Sequence, residues 1–302
     1  MNNKHITALP FTIFVLIFFI LCSAPKTALS NHLDKNLKDA HLKPFVVGIF
    51  PRRNKSVTRR LFNPLIRYLE TKLNHRVILK TPATFSIFWE DVEDGKYDLV
   101  HFNQYHYIIS KKNLGYTAIL RNKEFGKDTL SSAIIVRKDS GINSVDDLKG
   151  KTIVFGGGPK AMQSYIYSRY LLKHSGLVAG NYIEDFSINP PNALFALYYK
   201  KADAAGVGDT TIKLDMVSKQ IDTNKLKVLL RGVELPHLPW AIKDDVPLKL
   251  RQLIQNTLAS LHKTSQGKEI LKAAGLDQLI PSKDNDYDKH RKIVEDVLGE
   301  AY

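Results

Sequence analysis

A glycine-rich turn ahead of a helix is the stretch of this sequence whose residue types and spacing could do chemistry. Residues 152–155 indicate a short buried strand, and the three glycines at 156–158 then allow the positive φ angles of a tight turn. Pro159 is favoured at the first position of a helix, and apolar residues recur at helical spacing beyond it. The first N–H groups of that helix, at residues 160–162, are expected to lack helical acceptors. They lie at the positive end of the helix dipole, so the pattern predicts an anion-binding site.

Side chains around this turn could add to such a site. Lys160 contributes a full positive charge, and Gln163, Ser164 and Tyr165 contribute hydrogen-bond donors. The alternative is that the glycines only make a tight connection between strand and helix, as in many α/β folds, and it stays open. The turn lacks both the Gly-Lys-Ser/Thr ending of a P-loop and the Gly-x-Gly-x-x-Gly of a dinucleotide-binding fingerprint, which disfavours a nucleotide.

Patterns typical of catalysis or of metal binding are not apparent elsewhere in the sequence. His101 and His106 are five residues apart, a spacing that does not place two ligands on one helical face. No Ser-His-Asp order or nucleophile elbow can be read. The sequence therefore predicts a protein that is not an enzyme, with no catalytic residue, no metal and no cofactor.

The N-terminus has the layout of a secretory signal peptide. Lys4 precedes an apolar run at 11–21, and small residues follow at 28–30, so we expect residues 1–30 to be removed on export to the periplasm. Cys22 is the only cysteine, and the large Leu21 before it disfavours attachment of a lipid. The mature chain would then contain no disulfide, no thiol nucleophile and no cysteine metal site.

The composition is strongly basic, with 44 Lys and Arg against 30 Asp and Glu in 302 residues and a formal charge of +14. Such a balance is typical of proteins that attract anionic solutes, lipid headgroups or nucleic acid. Export disfavours nucleic acid as a partner. Anionic solutes, lipid headgroups and a plain solvated basic surface all stay open from composition alone.

Strands and helices alternate along the mature chain, which predicts an α/β fold with mixed, mainly parallel sheets. Residues 31–43 read as a loose arm. Extended segments near 131–137 and 229–240 predict two crossings between two lobes, with a ligand cleft at the carboxyl ends of the strands. The predicted first lobe comprises 44–130 and 240–302, and the second comprises 131–239.

Several short motifs, in their order along the chain, resemble the periplasmic solute-binding proteins of phosphate, phosphite and phosphonate ABC transporters. The resemblance runs from about residue 45 to about residue 291, and its segments are residues 48–51, 63–69, 95–103, 105–107, 135–140, 146–152, 202–204, 286–288 and 290–291. It implies a two-lobed type II periplasmic-binding-protein fold with two hinge crossings. It also implies a monomer that delivers a small phosphorus oxyanion to the transmembrane subunits of an ABC permease.

The resemblance also implies where the oxyanion is held. The family uses hydroxyl-bearing residues at the helix N-terminus, where Lys160, Ala161 and Met162 stand here and leave only backbone donors. At the start of the next helix, Asn189 and Pro190 replace the family's His-acid pair, which disfavours an aminoalkyl phosphonate. The family's second acid matches Asp209, with Gly208 as a one-residue alternative, and such a carboxylate could accept the O–H of a protonated oxyanion.

The predicted ligand-binding residues are Arg52, Phe102, Gln104, Tyr105, Lys160, Ala161, Met162, Gln163, Ser164, Tyr165, Asn189, Asn192 and Asp209. Two other functions stay open. Some members of the resembled family act as solute sensors for a membrane kinase, and an enzyme on the same fold is a less favoured third possibility.

Overall fold

Two mixed β-sheets and the helices packed on them make up the part of the chain that the computed structural model describes, residues 43–302. Residues 44–302 form one compact unit. Within the described residues, no helix is both long and apolar enough to cross a bilayer. The predicted signal peptide, Cys22 and the arm up to residue 42 lie outside the described residues.

The first sheet has six strands in the spatial order β13, β4, β12, β3, β1, β2. In that order the strands span Gln278–Pro281, Tyr116–Lys123, Pro239–Lys243, Leu99–His101, Phe45–Ile49 and Val77–Lys80. Strand β1 is parallel to β2 and β3, whereas β12 is antiparallel to β3 and β4, and β13 is antiparallel to β4. A helix connects β1 to β2 and another connects β2 to β3, as the alternating sequence pattern predicts for parallel strands.

The second sheet has five strands in the order β10, β6, β9, β7, β8. In that order the strands span Leu226–Arg231, Ser132–Arg137, Ala204–Gly208, Thr152–Gly156 and Ile183–Ser187. Strand β7 is parallel to β8 and β9, and β6 is antiparallel to β9 and β10. The predicted α/β class with mixed sheets is therefore confirmed. Four of the nine strand pairs in the two sheets are parallel and five are antiparallel, so parallel pairs are not in the majority that was expected.

Nine α-helices in the described part of the chain cover these sheets. In chain order, α1 to α9 span Lys55–Leu73, Phe85–Glu93, Gln104–Leu114, Tyr167–His174, Pro190–Tyr198, Asp215–Ser218, Leu248–Ala259, Ser265–Ala274 and Asp288–Leu298. Asparagine side chains cap three of the helices that follow strands. Asn54, Asn103 and Asn189 accept hydrogen bonds from the N–H groups of Val57, His106 and Asn192, respectively. Such caps replace hydrogen bonds that the first helical turn lacks.

The period-two pattern of β1 shows how the core is divided. Val47 and Ile49 join the cluster under α1 that contains the fully buried Leu65, while Val46 faces a second cluster on the other side of the sheet. That second cluster continues to Ile134 in β6 of the second sheet. One continuous core therefore joins the inner faces of the two sheets. Burial of each such side chain stabilises the fold by roughly 1.5–3 kcal/mol.

Two chain segments cross between the sheets side by side. Strands β5 (Thr129–Leu130) and β11 (Leu235–Pro236) pair as a short antiparallel ribbon at the crossing. Residues 131–137, predicted as a crossing, mostly form β6 inside the second sheet, so the first crossing lies just before them. The predicted lobe boundaries stay a prediction.

Candidate functional site

A cavity of about 50 Å³ lies between the two sheets and takes its walls from both of them. It lies beside the ribbon that joins the sheets. Its lining residues are Phe50, Arg52, Phe85, Asn103, Gln104, Leu130, Gly156, Ala161, Met162, Gln163, Ser164, Pro190, Gly208, Thr211 and Leu238.

One wall of the cavity is the beginning of the helix that follows the glycine turn. Gly157 and Gly158 have φ angles of 97° and 85°, the left-handed region that favours glycine. The N–H of Ala161 donates to the carbonyl of Gly158 at 3.0 Å and closes a turn, and Ala161 itself is extended. The helix therefore begins at Met162, three residues later than Pro159 predicts.

This later start moves the free backbone donors along the chain. The helix opens with a π turn, Met162–Ile166, because the carbonyl of Ala161 accepts from both Tyr165 and Ile166. The N–H groups of Met162, Gln163 and Ser164 then receive no acceptor from the described residues. These three, rather than residues 160–162, are the donors that the helix presents to the cavity.

Close packing brings a second helix N-terminus to the same cavity. A Cβ atom on Gly156, at the end of β7, would lie only 2.3 Å from the Cα of Pro190. Pro190 begins α5 and lines the cavity, as does Met162 at the start of the other helix. Two positive helix ends therefore border one small space, an arrangement that favours negative charge.

Two glutamine side chains in the wall are buried with unpaired polar atoms. Gln104 is fully buried, and its Nε2 donates to the carbonyl of Pro236 at 3.2 Å, while its Oε1 has no partner among residues 43–302. Gln163 is 7% exposed, and neither its Oε1 nor its Nε2 has a hydrogen-bond partner among the described residues. Because unpaired buried polar groups are rare and costly, these amides indicate a place for a ligand or water.

The arginine of the cavity wall is already paired. The Nη1 atom of Arg52 donates to both carboxylate oxygens of Glu124, at 2.7 and 2.8 Å, and Nη2 lies 3.4 Å from the Oγ1 of Thr210. Burial acts to raise the pKa of the Glu124 carboxyl, but the charges of Arg52 and nearby basic residues outweigh it and hold that pKa well below its usual range. Arg52 thus brings directed donors, and its charge is balanced by the carboxylate.

With this geometry in view, comparison with known proteins identifies the family. A family model described as the periplasmic substrate-binding protein of phosphonate ABC transporters matches residues 47–287. The chain belongs to this family. The resemblance predicted from the sequence is therefore confirmed.

Solved structures of phosphonate-binding proteins have the same fold. A binding protein component of a phosphonate ABC transporter from Pseudomonas aeruginosa is 14% identical, with a TM-score of 0.74 over 83% of this chain and 85% of that one. PhnD1 from Prochlorococcus marinus, solved with methylphosphonate, is 16% identical, with a TM-score of 0.73 over 84% of this chain and 98% of that one. These likenesses confirm the type II periplasmic-binding-protein fold.

One curated relative is a sensor kinase. The tetrathionate sensor histidine kinase TtrS of Salmonella typhimurium is 28% identical over 205 residues, which cover 64% of this chain and 34% of the kinase. The chain thus matches about a third of that protein's length.

The structure brings six of the thirteen predicted ligand-binding residues to the cavity of this family member, namely Arg52, Gln104, Ala161, Met162, Gln163 and Ser164. Lys160 is instead exposed, with its Nζ 5.7 Å from the ring centre of Trp89. Asn189 and Asn192 are used in the cap of α5, directly beside the lining residue Pro190.

Three predicted aromatic residues lie away from the cavity. Phe102 packs edge-on against Phe88 and Tyr116 in the core. The hydroxyl of Tyr105 donates to Glu300 at 2.7 Å. The hydroxyl of Tyr165 donates to Glu184 at 2.8 Å.

Asp209 also lies outside the cavity wall, and the alternative residue Gly208 lines it. The Oδ1 atom of Asp209 accepts the N–H of Ser131 at 3.1 Å, and its Oδ2 pairs with Arg231. Its carboxylate is therefore already engaged by donors of the protein. The part of Asp209 in ligand binding stays a prediction.

Sequence reasoning missed several lining residues. Asn103 and Thr211 could have been found, because each follows a strand that ends at the cleft. Phe50, Phe85 and Leu238 give no such signal, since an apolar residue facing a cleft has the same pattern as one facing the core. Within residues 43–302, no cluster of three His, Cys, Asp or Glu side chains could hold a metal ion.

Proposed function

We propose that this protein is exported to the periplasm, binds a small phosphorus oxyanion such as phosphonate, phosphite or phosphate, and delivers it to an ABC permease. The observation that carries the proposal is the small cavity between the two sheets, lined by Met162, Gln163 and Ser164, whose backbone N–H groups have no acceptor among the described residues. Backbone donors at a helix N-terminus suit the several oxygens of such an anion. Membership of the phosphonate-binding family supports the same ligand class.

The remaining walls fit a small ligand with an apolar side. Phe50, Phe85 and Leu238 line the cavity together with the polar groups of Gln163 and Ser164. Oxygens would lie at the helix end, and a methyl group or hydrogen on phosphorus would lie against the apolar side chains. The cavity volume of about 50 Å³ suits a small ligand.

Binding of this kind needs no chemical step. Arg52 from the first sheet contacts Thr210 beyond the end of β9 in the second sheet, so a contact of the cavity wall also joins the two sheets. We propose that closure of two lobes around the ligand is the functional event and that the mature protein works as a monomer. Light scattering in solution tests the monomer.

Calorimetry with phosphate, phosphite, methylphosphonate, sulfate and arsenate tests the ligand class. We expect at least one phosphorus oxyanion to bind, and we expect Gln163→Glu to weaken it more than tenfold because a carboxylate in the cavity wall repels an anion. The matched control is Gln220→Glu, at an exposed glutamine outside the cavity, which should bind normally. Absence of binding by all five anions at millimolar concentration would contradict the proposal.

A sensor for a membrane kinase is the second candidate function. It is favoured by the 28% identity to a tetrathionate sensor kinase. The same cavity would then hold an oxyanion, but the output would be a signal. Tetrathionate therefore belongs in the calorimetry series. If tetrathionate binds and no phosphorus oxyanion does, the sensor is favoured. A permease gene next to this gene would favour transport, and a kinase gene would favour sensing.

A further inference from the structure

The orientation of the Gln104 amide is fixed by its surroundings. Gln104 is the first residue of α3, directly after the capping residue Asn103, and is fully buried. Its amide lies beside the carbonyl of Pro236, at 3.2 Å from Nε2. A carbonyl oxygen only accepts hydrogen bonds, so the NH₂ group must face it, and the other atom of the amide, Oε1, must point elsewhere.

The Oε1 atom of Gln104 is consequently a buried acceptor at the cavity wall. None of the described residues donates to it. An amide oxygen left without a donor in a dry site is costly, and a bound molecule with an O–H group relieves that cost. The same cavity is lined by Gln163 and Ser164, whose backbone N–H groups have no acceptor among the described residues. A complementary ligand therefore combines several accepting oxygens with one donor.

The carboxylates near the cavity are not available for that donor. Glu124 receives both contacts of the Arg52 Nη1 atom and a further hydrogen bond from Asn122 at 2.9 Å. Asp209 accepts from the Ser131 backbone and pairs with Arg231. Two neutral amides remain, Gln104 and Gln163, and either end of the unpaired Gln163 amide can face a ligand, whereas the amide of Gln104 is held with its oxygen unpaired.

We propose that Gln104 is a specificity-determining residue that selects the monoprotonated form of a phosphorus oxyanion. The O–H of the anion donates to Oε1 of Gln104, while its other oxygens accept from the N–H groups of Met162, Gln163 and Ser164. This inference rests on the proposed function, because it assumes that an oxyanion occupies the cavity. An anion without a proton leaves the neutral Gln104 oxygen unpaired, so its binding is disfavoured. The penalty is smaller than the repulsion that a charged carboxylate would exert.

Methylphosphonate and methanesulfonate form the matched pair of probes for this idea. They have nearly the same shape, but only the monoprotonated phosphonate has an O–H to donate. We expect the wild-type protein to prefer methylphosphonate by about tenfold to a hundredfold near pH 6, the effect of one unpaired buried acceptor. Calorimetry of both anions gives the ratio of their dissociation constants.

Variants at Gln104 assign that ratio to one atom. Gln104→Met keeps the length of the side chain and removes the acceptor, so the ratio should fall towards one. Gln104→Glu keeps an acceptor and adds a charge, so methanesulfonate should weaken further and the ratio should rise. Gln220→Met, at an exposed glutamine outside the cavity, is the control and should keep the wild-type ratio.

The pH dependence of affinity provides a second readout. The titratable and charged groups at the cavity wall, or linked to it through hydrogen bonds and ion pairs, are Arg52, Glu124, Lys160, His106, His237 and Tyr287. Burial lowers the pKa of His106 to about 3 and that of His237 to about 4, and basic neighbours keep the pKa of Glu124 low. These three groups keep their charge state above pH 5.5, so a pH slope there reports the ligand.

Above the second pKa of methylphosphonate, its affinity should fall about tenfold per pH unit, because only the protonated form is selected. The affinity of methanesulfonate should stay constant. If both anions bind and Gln104→Met leaves their ratio unchanged, or if methylphosphonate binds more tightly as pH rises, the inference is overturned while the proposed function stands. If neither these two anions nor any other phosphorus oxyanion binds the wild-type protein, the proposed function itself fails.

Discussion

At the scale of single residues, the anion site depends on dipoles more than on net charge. Arg52 is the charged residue of the cavity wall, and the carboxylate of Glu124 balances it at 2.7 Å. Lys160, the cation that the sequence places next to the turn, is exposed against Trp89. In the proposed function, the formal charge of +14 would attract anions from a distance, and backbone N–H groups and amides would hold them.

Buried histidines make the free energy of unfolding depend on pH. Burial lowers the pKa of His106 and His290 to about 3 and that of His237 to about 4. In the unfolded chain the same groups take up a proton near pH 6.5, so the unfolded state binds more protons between these values. Their stabilising contribution is therefore complete above about pH 6.5 and is lost as pH falls towards 3 to 4.

We predict that the free energy of unfolding falls from pH 6.5 to pH 5 by up to about 1.4 kcal/mol per pH unit for each of these histidines. His290→Phe should reduce that slope by about one such unit, because it removes one titrating group and two unpaired ring nitrogens next to Tyr287. Urea unfolding at several pH values measures the slope. A variant with the wild-type slope would show that His290 is protonated in the folded protein.

At the scale of elements, the strand, glycine turn and helix around residues 152–174 could be predicted, but the first helical turn could not. Pro159 is a sound signal for a helix start. The closed turn from Gly158 to Ala161 nevertheless delays the helix to Met162. That turn depends on how the glycines pack against the neighbouring elements, which a single sequence does not show. The donors consequently differ from those expected by two positions.

The same reasoning explains the other differences at the site. Strand ends could be predicted within a residue or two, so both Asp209 and Gly208 were open, and the structure places Gly208 in the wall. Apolar lining residues such as Phe50 and Leu238 were not predicted. Their environment depends on the second sheet, far away in sequence, and local patterns carry no information about it.

Gly206 allows the helix that begins at Met162 to pack closely on the second sheet. A Cβ atom there would lie 2.4 Å from Cδ1 of Phe155 and 2.6 Å from the carbonyl oxygen of Ser164. We predict that Gly206→Ala displaces the first helical turn, lowers the free energy of unfolding by about 1–3 kcal/mol and weakens oxyanion binding more than tenfold.

Gly208→Ala is the matched control for stability, since its Cβ would have neighbours at 3.7 Å, an ordinary contact. It should unfold at nearly the wild-type urea concentration. Equal stability of the two alanine variants would show that the sheet and the helix can separate without penalty, contrary to the close packing at Gly206.

At the scale of the whole molecule, the two crossings and one side-chain contact connect the sheets beside the cavity. Strands β5 and β11 pair only through residues 129–130 and 235–236, so the ribbon between the sheets is short. Close to it, Arg52 reaches from the first sheet to Thr210 beyond the second. A short ribbon allows rotation, and a contact across the cleft favours the closed arrangement.

We therefore predict that the oxyanion drives closure and that the Arg52–Thr210 contact assists it. Small-angle scattering should show a smaller radius of gyration for the ligand-saturated wild-type protein than for the free protein. Thr210→Val removes the acceptor of the Arg52 Nη2 atom, and we expect it to weaken binding by about twofold to tenfold, the effect of one hydrogen bond. Thr81→Val is the control, because Thr81 is equally buried and lies outside the cavity. If saturation leaves the scattering profile unchanged, the cavity is a rigid site, and the contact across the cleft has no part in binding.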